Sequence, residues 1–181
     1  MEDRVYKGKI EKLRSKDRIQ MLEVDRVVEL SLEGIHASSI LDIGTGSALF
    51  AEAFSKKNLS VAGVDINEKM IKEAQKFVPA AKFKVARAEK LPYSEDEFDV
   101  VFLGHILHEA ESVEQVLSEA MRVAKQRVII LEWPYKQEEH GPPLNHRLKT
   151  EDIVETAEKV GYFYIEEKPF KHMVFFRLGK T

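Results

Sequence analysis

Five short apolar runs recur along the chain, and segments with helical periodicity lie between most of them. Most of these runs are continuously apolar rather than alternating, which is typical of strands buried on both faces of a parallel sheet. The runs are residues 38–43, 59–66, 81–86, 98–103 and 126–133.

Three helical segments carry recognisable end signals. Asn67 fits the N-cap of the first, and Ser112 with Gln115 forms a capping box for the second. Thr150 fits the N-cap of the third, which Gly161 would end. Because strands and helices alternate, the chain is predicted to form right-handed crossovers, with a parallel sheet covered by helices on both faces.

Both ends of the chain differ from this alternation. Residues 1–34 are predicted to be an N-terminal helical cap, because residues 10–33 repeat apolar positions along one helix face. The anchors of that face are predicted to be Ile19, Leu22, Val27 and Leu30. Residues 162–170 and 172–178 leave no room for a helix between them, so they are predicted to form an antiparallel hairpin.

Length and composition narrow the class of protein. A chain of 181 residues suits one core, so residues 1–181 are predicted to be a single domain. The net charge of −3 offers no cationic surface, so a nucleic acid partner is not expected. The absence of cysteine excludes disulfides and thiol chemistry. No apolar run reaches the length of a membrane span, and a cytoplasmic protein without a membrane partner is expected.

A glycine turn follows the first predicted strand, in the sequence DIGTG (42–46). Gly44 and Gly46 permit positive φ and close approach of a ligand. Asp65 ends the second strand, where an acid commonly binds two ribose hydroxyls. In parallel sheets ligands bind beyond these strand ends, so a nucleotide-like ligand is predicted.

The turn does not fit a dinucleotide. The third glycine of the G-x-G-x-x-G pattern would fall at Leu49. Asp42 would repel a pyrophosphate but suits a ligand with positive charge. S-adenosylmethionine, with an ammonium and a sulfonium, matches this pattern better than NAD does, and a Rossmann oxidoreductase is therefore disfavoured.

Four stretches in order resemble the successive motifs of class I S-adenosylmethionine-dependent methyltransferases. They are most similar to the small-molecule group of the ubiquinone/menaquinone-biosynthesis type. The stretches are LDIGTGSALF (41–50), VAGVDINEKMI (61–71), ARAEKLPYSEDEFDVVF (86–102) and EAMRVAKQRVIILEW (119–133). The resemblance implies a Rossmann-like α/β sheet of seven strands, with the last strand antiparallel and helices on both faces.

The resemblance also implies site residues. The residues expected to contact the methionine moiety are Asp42, Gly44, Thr45 and Gly46. Asp65 is expected at the ribose, Ile66 against the adenine, Ala88 and Glu89 at the adenine edge, and Leu103 with Gly104 beside the methyl group. Two residues depart from the family pattern: Ala48 replaces a glycine, and Arg87 replaces an Asp or Asn that accepts a hydrogen bond from adenine.

The catalytic candidates are His105 and His108, in the sequence GHILHE after the fourth strand. Two interpretations stay open: the loop is only held in place by its hydrogen bonds, or a histidine contacts the acceptor or takes its proton. Glu109 and Glu132 are further polar candidates. The spacing of these groups matches no metal motif, and no metal site is predicted.

Residues 134–149 are the longest irregular stretch and follow the fifth strand. His140, His146 and Arg147 either meet a substrate there or belong to an ordinary surface loop. The pocket is expected to need completion by the N-terminal cap, including Tyr6 and Arg18, or by a second subunit in a homodimer.

These observations predict an S-adenosylmethionine-dependent methyltransferase that modifies a small organic acceptor by in-line displacement. The alternative is a non-catalytic methyltransferase-like module with a regulatory or assembly role. Arg87 and the shortness of the insert at residues 134–149 favour this alternative. Neither the acceptor nor the methylated atom follows from the sequence.

Overall fold

The computed structural model describes residues 10–180, with side chains from residue 12 onward. Tyr6 lies outside the described residues. The strands are β1 (Ser39–Ile43), β2 (Ser60–Asp65), β3 (Lys82–Val85), β4 (Phe98–Gly104), β5 (Ala124–Glu132), β6 (Tyr164–Pro169) and β7 (Val174–Gly179). The α-helices are α1 (Lys16–Met21), α2 (Val24–Leu32), α3 (Leu49–Ser55), α4 (Glu68–Phe77), α5 (Val113–Val123) and α6 (Thr150–Val160).

The described strands form one seven-stranded sheet in the order β3-β2-β1-β4-β5-β7-β6. Strands β1 to β5 pair in parallel, and β7 is antiparallel to both β5 and β6. The predicted sheet and terminal hairpin are confirmed. Strand β3 is an exposed edge, and its lysines are typical of edges that resist pairing with another chain.

The two faces of the sheet carry separate apolar cores. Helices α2, α3 and α4 cover one face, and α5 and α6 cover the other. On the first face, Phe102 of β4 packs against Phe50 and Phe54 of α3, with ring centroids 4.6 and 5.5 Å away. On the second, the Tyr162 hydroxyl donates to the Leu117 carbonyl at 2.9 Å and fixes the end of α6 against α5.

The predicted continuous helix over residues 10–33 is wrong. The segment divides into a 3-10 helix (Ile10–Arg14), α1 and α2. Leu22 and Val24 are both buried, and two positions this close cannot share a helix face. The chain therefore turns at Glu23, which has a left-handed φ of 49°. Ile19 stays exposed and is not an anchor.

The remaining anchors of the cap are as predicted: Leu22 and Val27 are buried and Leu30 packs against the same core. The single domain over residues 1–181, with 1–34 as its cap, stays a prediction.

The predicted helix ends agree with the structure at most positions. The Asn67 side chain accepts from the Lys69 amide, and the Ser112 hydroxyl accepts from the Gln115 amide. Gly161 ends α6 with a φ of 109°. Thr150 is the first residue of α6 rather than its cap, because the extended Lys149 occupies the cap position without a side-chain hydrogen bond.

Replacing the buried Phe102 by alanine is expected to lower the free energy of unfolding by about 3–5 kcal/mol, since the ring fills the space between β4 and α3. Phe163→Ala is the matched control, because Phe163 is 80% exposed and its loss should change stability by less than about 0.5 kcal/mol. Urea unfolding measures both, and equal losses would contradict this packing.

Candidate active site

A cavity of about 830 Å³ opens beyond the carboxyl ends of the parallel strands. All predicted cofactor contacts except Leu103 line it, and so do His105 and His108. Leu103 is fully buried in the core below the cavity. Leu13, Arg18 and Leu22 of the N-terminal segment also line the cavity. Arg18 was predicted to complete the pocket, whereas Leu13 and Leu22 were not predicted to line it.

Backbone hydrogen bonds connect the glycine turn to β2. The amides of Gly44 and Thr45 both donate to the Val64 carbonyl, at 2.8 and 2.9 Å. Gly44 has a φ of 71°, and a Cβ built there would lie 1.9 Å from Cγ2 of Ile106. A side chain at this position would therefore have to displace Ile106 and would also be strained by the left-handed φ.

Ala48 shows the same constraint where the family pattern has glycine. Its φ is 60°, a left-handed value that costs a residue with a Cβ roughly 1–2 kcal/mol. Ala48, which replaces the glycine of the family pattern, thus keeps a backbone conformation typical of glycine.

The Asp65 carboxylate joins the turn to the end of β2. Its Oδ2 accepts from the Gly46 amide at 2.9 Å, and its Oδ1 accepts from the Asn67 amide at 2.8 Å. Burial raises the pKa of Asp65, and these two hydrogen bonds oppose the shift. Each carboxylate oxygen keeps a second acceptor position for a ligand hydroxyl.

Asp42 is the second acid of the turn. It is buried, and its Oδ2 accepts from the Thr45 hydroxyl at 2.7 Å. Burial raises the pKa of Asp42 to about 7. A cationic ligand group beside it would restore the ionised form.

Arg87 lies on the rim of the cavity. Its guanidinium contacts Glu111 Oε2 at 2.8 Å and Glu89 Oε2 at 3.5 Å, and its side chain is half-exposed. The two glutamates hold Arg87 beside Ala88, on the wall assigned to the adenine edge.

A buried histidine–glutamate pair forms part of the floor. His108 Nδ1 lies 3.0 Å from Glu132 Oε2, and the same carboxylate accepts from the amides of Leu107 and Trp133 at 2.9 and 3.1 Å. Burial alone would lower the pKa of His108, but the Glu132 charge and hydrogen bond raise it above its ordinary value. A proton on Nδ1 would donate to this carboxylate, and Nε2 is then the other reactive nitrogen, 3.9 Å from Glu109 Oε1.

His105 has a different environment. Its Nε2 lies 3.0 Å from Met173 Sδ, and its ring centroid is 5.1 Å from that of Trp133. Burial lowers the pKa of His105, so its imidazole is neutral and weakly basic. Its φ of 59° is left-handed and turns the chain between β4 and the His108 loop.

The profile of a family described as a methyltransferase domain matches residues 41–131, half of the 181-residue chain. The chain belongs to this methyltransferase family. The predicted recognition of a class I methyltransferase and its fold class are confirmed.

Curated relatives of this methyltransferase domain share part of their length with it. The ubiquinone/menaquinone biosynthesis C-methyltransferase of Rickettsia massiliae is 36% identical over 100 residues, covering 49% of this chain and 40% of that protein. The demethylmenaquinone methyltransferase of Thermotoga maritima is 33% identical over 111 residues, covering 59% of this chain and 48% of that protein. The chain therefore matches less than half the length of these relatives.

A solved structure extends the likeness to nearly the whole methyltransferase domain. A SAM-dependent methyltransferase from Aquifex aeolicus superposes with a TM-score of 0.81, covering 95% of this chain and 97% of that one. The two sequences are 21% identical, so this comparison establishes a shared fold. Within residues 10–180, no helix of the methyltransferase domain is both long and apolar enough to cross a membrane.

The segment after β5 supplies the remaining wall of the methyltransferase cavity. Gly141, Pro142, Pro143 and His146 line it. Arg147 is buried behind this wall and donates to backbone carbonyls, and His140 packs near His172 instead. Of the three polar residues proposed for substrate contact, His146 alone lines the cavity. Gly141 was missed, although a glycine before two prolines is a signal of a fixed turn.

Gly44→Ala is expected to reduce the free energy of unfolding by about 1–3 kcal/mol more than Gly34→Ala, because the new Cβ would overlap Ile106. Gly34 is a matched control, since it also has a left-handed φ, of 74°, but has no atom within 4 Å of a built Cβ. Urea unfolding of both variants measures the difference, and identical losses would show that Ile106 does not restrict the turn.

Proposed function

We propose that this protein transfers a methyl group from S-adenosylmethionine to a small organic acceptor. The observation that carries the proposal is the arrangement of two acids, the buried Asp42 and the half-buried Asp65, at the glycine turn of one cavity. Asp42 beside the turn opposes a pyrophosphate and suits a ligand that bears an ammonium and a sulfonium, whose positive charge favours its ionised form. The cavity volume also lies in the range of small-molecule sites.

The residues of the turn would hold the cofactor without a cationic side chain. Asp42, Gly44, Thr45 and Gly46 would contact the methionine moiety, and Asp65 would accept from the ribose hydroxyls through its remaining lone pairs. S-adenosylmethionine supplies an activated methyl group, whose leaving sulfur needs no proton.

The other cofactor contacts follow from their places on the wall. Ile66, half-exposed at the cavity, would cover the adenine, and Ala88 with Glu89 would flank its edge. Gly104, which lines the cavity, would lie beside the methyl group, with Leu103 supporting it from below.

His108 is the residue we assign to proton removal from the acceptor. It lines the cavity, and Glu132 fixes its Nδ1, so Nε2 would accept the acceptor proton as the methyl group is transferred. His105 has the lower basicity of the two and is assigned a contact with the acceptor rather than the role of base.

The names of the curated relatives support an aromatic acceptor related to quinone biosynthesis. 1,4-Dihydroxynaphthalene, kept under nitrogen, is a soluble probe of this acceptor class.

No observation favours the non-catalytic alternative, because Arg87 is paired with glutamates on the rim and leaves the cavity open. The cytoplasmic location and a homodimer stay predictions.

Calorimetric titration of the protein is expected to give micromolar binding of S-adenosylmethionine and S-adenosylhomocysteine, and no binding of NADH. Asp65→Asn should weaken binding of both by about 10–100-fold, since it removes charged hydrogen bonds to the ribose. Binding of NADH alone would overturn the proposal.

Asp99→Asn is the matched control for this titration. Asp99 also accepts from two backbone amides, Ser38 and Ser39, but it lies outside the cavity. Its replacement should lower stability and leave S-adenosylmethionine affinity within about twofold. Equal loss of affinity in both variants would remove the ribose assignment of Asp65.

Methylation of 1,4-dihydroxynaphthalene is expected to rise with pH through the raised pKa of His108, since the neutral imidazole is the active form. Glu132→Gln removes the larger of the two charges that raise this pKa, while the weaker effect of Glu109 and the burial, which lowers the pKa, remain. The rise should therefore shift to lower pH in kcat/KM, and the NMR titration of His108 should shift with it. Glu114→Gln, on the exposed side of α5, is the control. An unmoved profile in Glu132→Gln would remove His108 from the base role.

A further inference from the structure

Arg147 is a buried cation that contacts both the backbone of the segment after β5 and the Trp133 ring, whose centroid lies 5.6 Å from the guanidinium carbon of Arg147. Its Nε donates to the Pro142 carbonyl at 2.8 Å, its Nη1 to the Pro134 carbonyl at 3.1 Å, and its Nη2 to the His140 carbonyl at 2.5 Å. Only 5% of the residue is exposed. One side chain thus ties the start of the segment after β5 to its middle.

Such a side-chain donor within the segment supplements its backbone hydrogen bonds. Pro134, Pro142 and Pro143 have no N–H, so the chain around them can form few backbone hydrogen bonds of its own. The Pro134 carbonyl also accepts from the Lys136 amide at 2.8 Å, so Arg147 adds a second donor there and joins it to the carbonyls of His140 and Pro142. The planar fork of arginine supplies several donors in fixed directions, whereas the ammonium of lysine is a single point.

The held segment packs directly on the cavity floor. A Cβ built on Gly141 would lie 2.6 to 2.9 Å from three atoms of the Trp133 indole, so the glycine backbone lies against the ring. His105 contacts the same ring, with centroids 5.1 Å apart. The next residues, Pro142 and Pro143, then face the cavity together with His146.

We propose that Arg147 is a positioning residue that fixes the acceptor wall, defined as Gly141, Pro142, Pro143 and His146, against Trp133. The wall sets the distance between a flat acceptor and His108 on the floor, and Gly141 limits that distance because no side chain fits above the indole. The proposal rests on the proposed function for its acceptor, but the position of the wall does not.

Trp133 is the only tryptophan of the chain and contacts both Gly141 and Arg147, so its fluorescence reports on the wall and on the arginine, and Gly141→Ala isolates the contribution of the wall. In Arg147→Lys with S-adenosylhomocysteine bound, quenching of Trp133 by acrylamide is expected to increase at least about twofold, because the wall loosens from the ring. The KM for 1,4-dihydroxynaphthalene should rise about tenfold, in line with the loss of a buried hydrogen bond. The affinity for S-adenosylmethionine should stay within about twofold.

Arg177→Lys is the matched control. Arg177 is another shielded arginine that donates to a backbone carbonyl, that of Leu30 at 2.6 Å, and its charged partners Glu33 and Glu166 lie outside the segment after β5. It should lower thermal stability without changing Trp133 quenching or the acceptor KM. A change of quenching in the control equal to that in Arg147→Lys would reduce Arg147 to a general stabilising residue and overturn the proposal.

Gly141→Ala tests the wall from the opposite side and covers the case in which Arg147→Lys does not fold. Its methyl group should push the wall from Trp133, which again raises quenching and the acceptor KM while cofactor affinity is kept. Unchanged quenching and KM in Gly141→Ala, or in a folded Arg147→Lys, would overturn the proposal. Failure of S-adenosylmethionine to bind the unmodified protein would instead overturn the proposed function, and the quenching of the two variants would still decide the role of Arg147.

Discussion

The Asp65 carboxylate is the interaction on which the cavity depends. It accepts from the Gly46 amide in the turn after β1 and from the Asn67 amide at the start of α4. It therefore links the connection after β1 to the connection after β2, at the carboxyl ends of these strands. The Val64 carbonyl adds a second link to the same turn. These bonds hold backbone amides and an acid in fixed directions before any ligand arrives, which is what preorganised binding requires.

Burial of several ionisable groups follows from this arrangement. Asp42 lies below the turn with a raised pKa, whereas Glu132 on the other side of the floor is held in its charged form by His108 and by backbone amides. A buried charge is costly unless it is paired and hydrogen-bonded. The cavity floor therefore has two different ends. The end at Asp42 suits a cation, and the end at the His108–Glu132 pair has one imidazole nitrogen that we propose for proton transfer.

The sequence was sufficient for features that depend on local patterns. Apolar runs placed the strands, and side chains such as Asn67 and Ser112 marked helix starts through hydrogen bonds to amides two or three residues away. The carboxyl ends of parallel strands must meet, so Asp42, Asp65 and Gly104 could be brought together from their positions alone. The family motifs added the cofactor and the order of its contacts.

Features that depend on tertiary packing were not predictable. The apolar pattern of the N-terminal segment fits one helix almost as well as two, and the burial of Leu22 and Val24 against the sheet decides for a turn at Glu23. The burial of Arg147 was also not predictable, because a charged residue in a proline-rich loop gives no local sign that it will be buried. Its partners are carbonyls that up to 13 residues of chain separate from it, and these become neighbours only when the loop folds.

The two halves of the cavity consequently rest on different physics. The half of the cavity proposed to bind the cofactor is built on strand ends, where the sheet itself fixes each group. The half proposed to bind the acceptor is built on a loop, and loops ordinarily vary and move more than the elements they connect. Methyl transfer requires the reacting atoms in line and within about 3–3.5 Å, so a mobile wall would forfeit much of the advantage of a rigid cofactor site. Prolines that restrict the backbone and an arginine that binds its carbonyls give this loop a rigidity closer to that of the sheet.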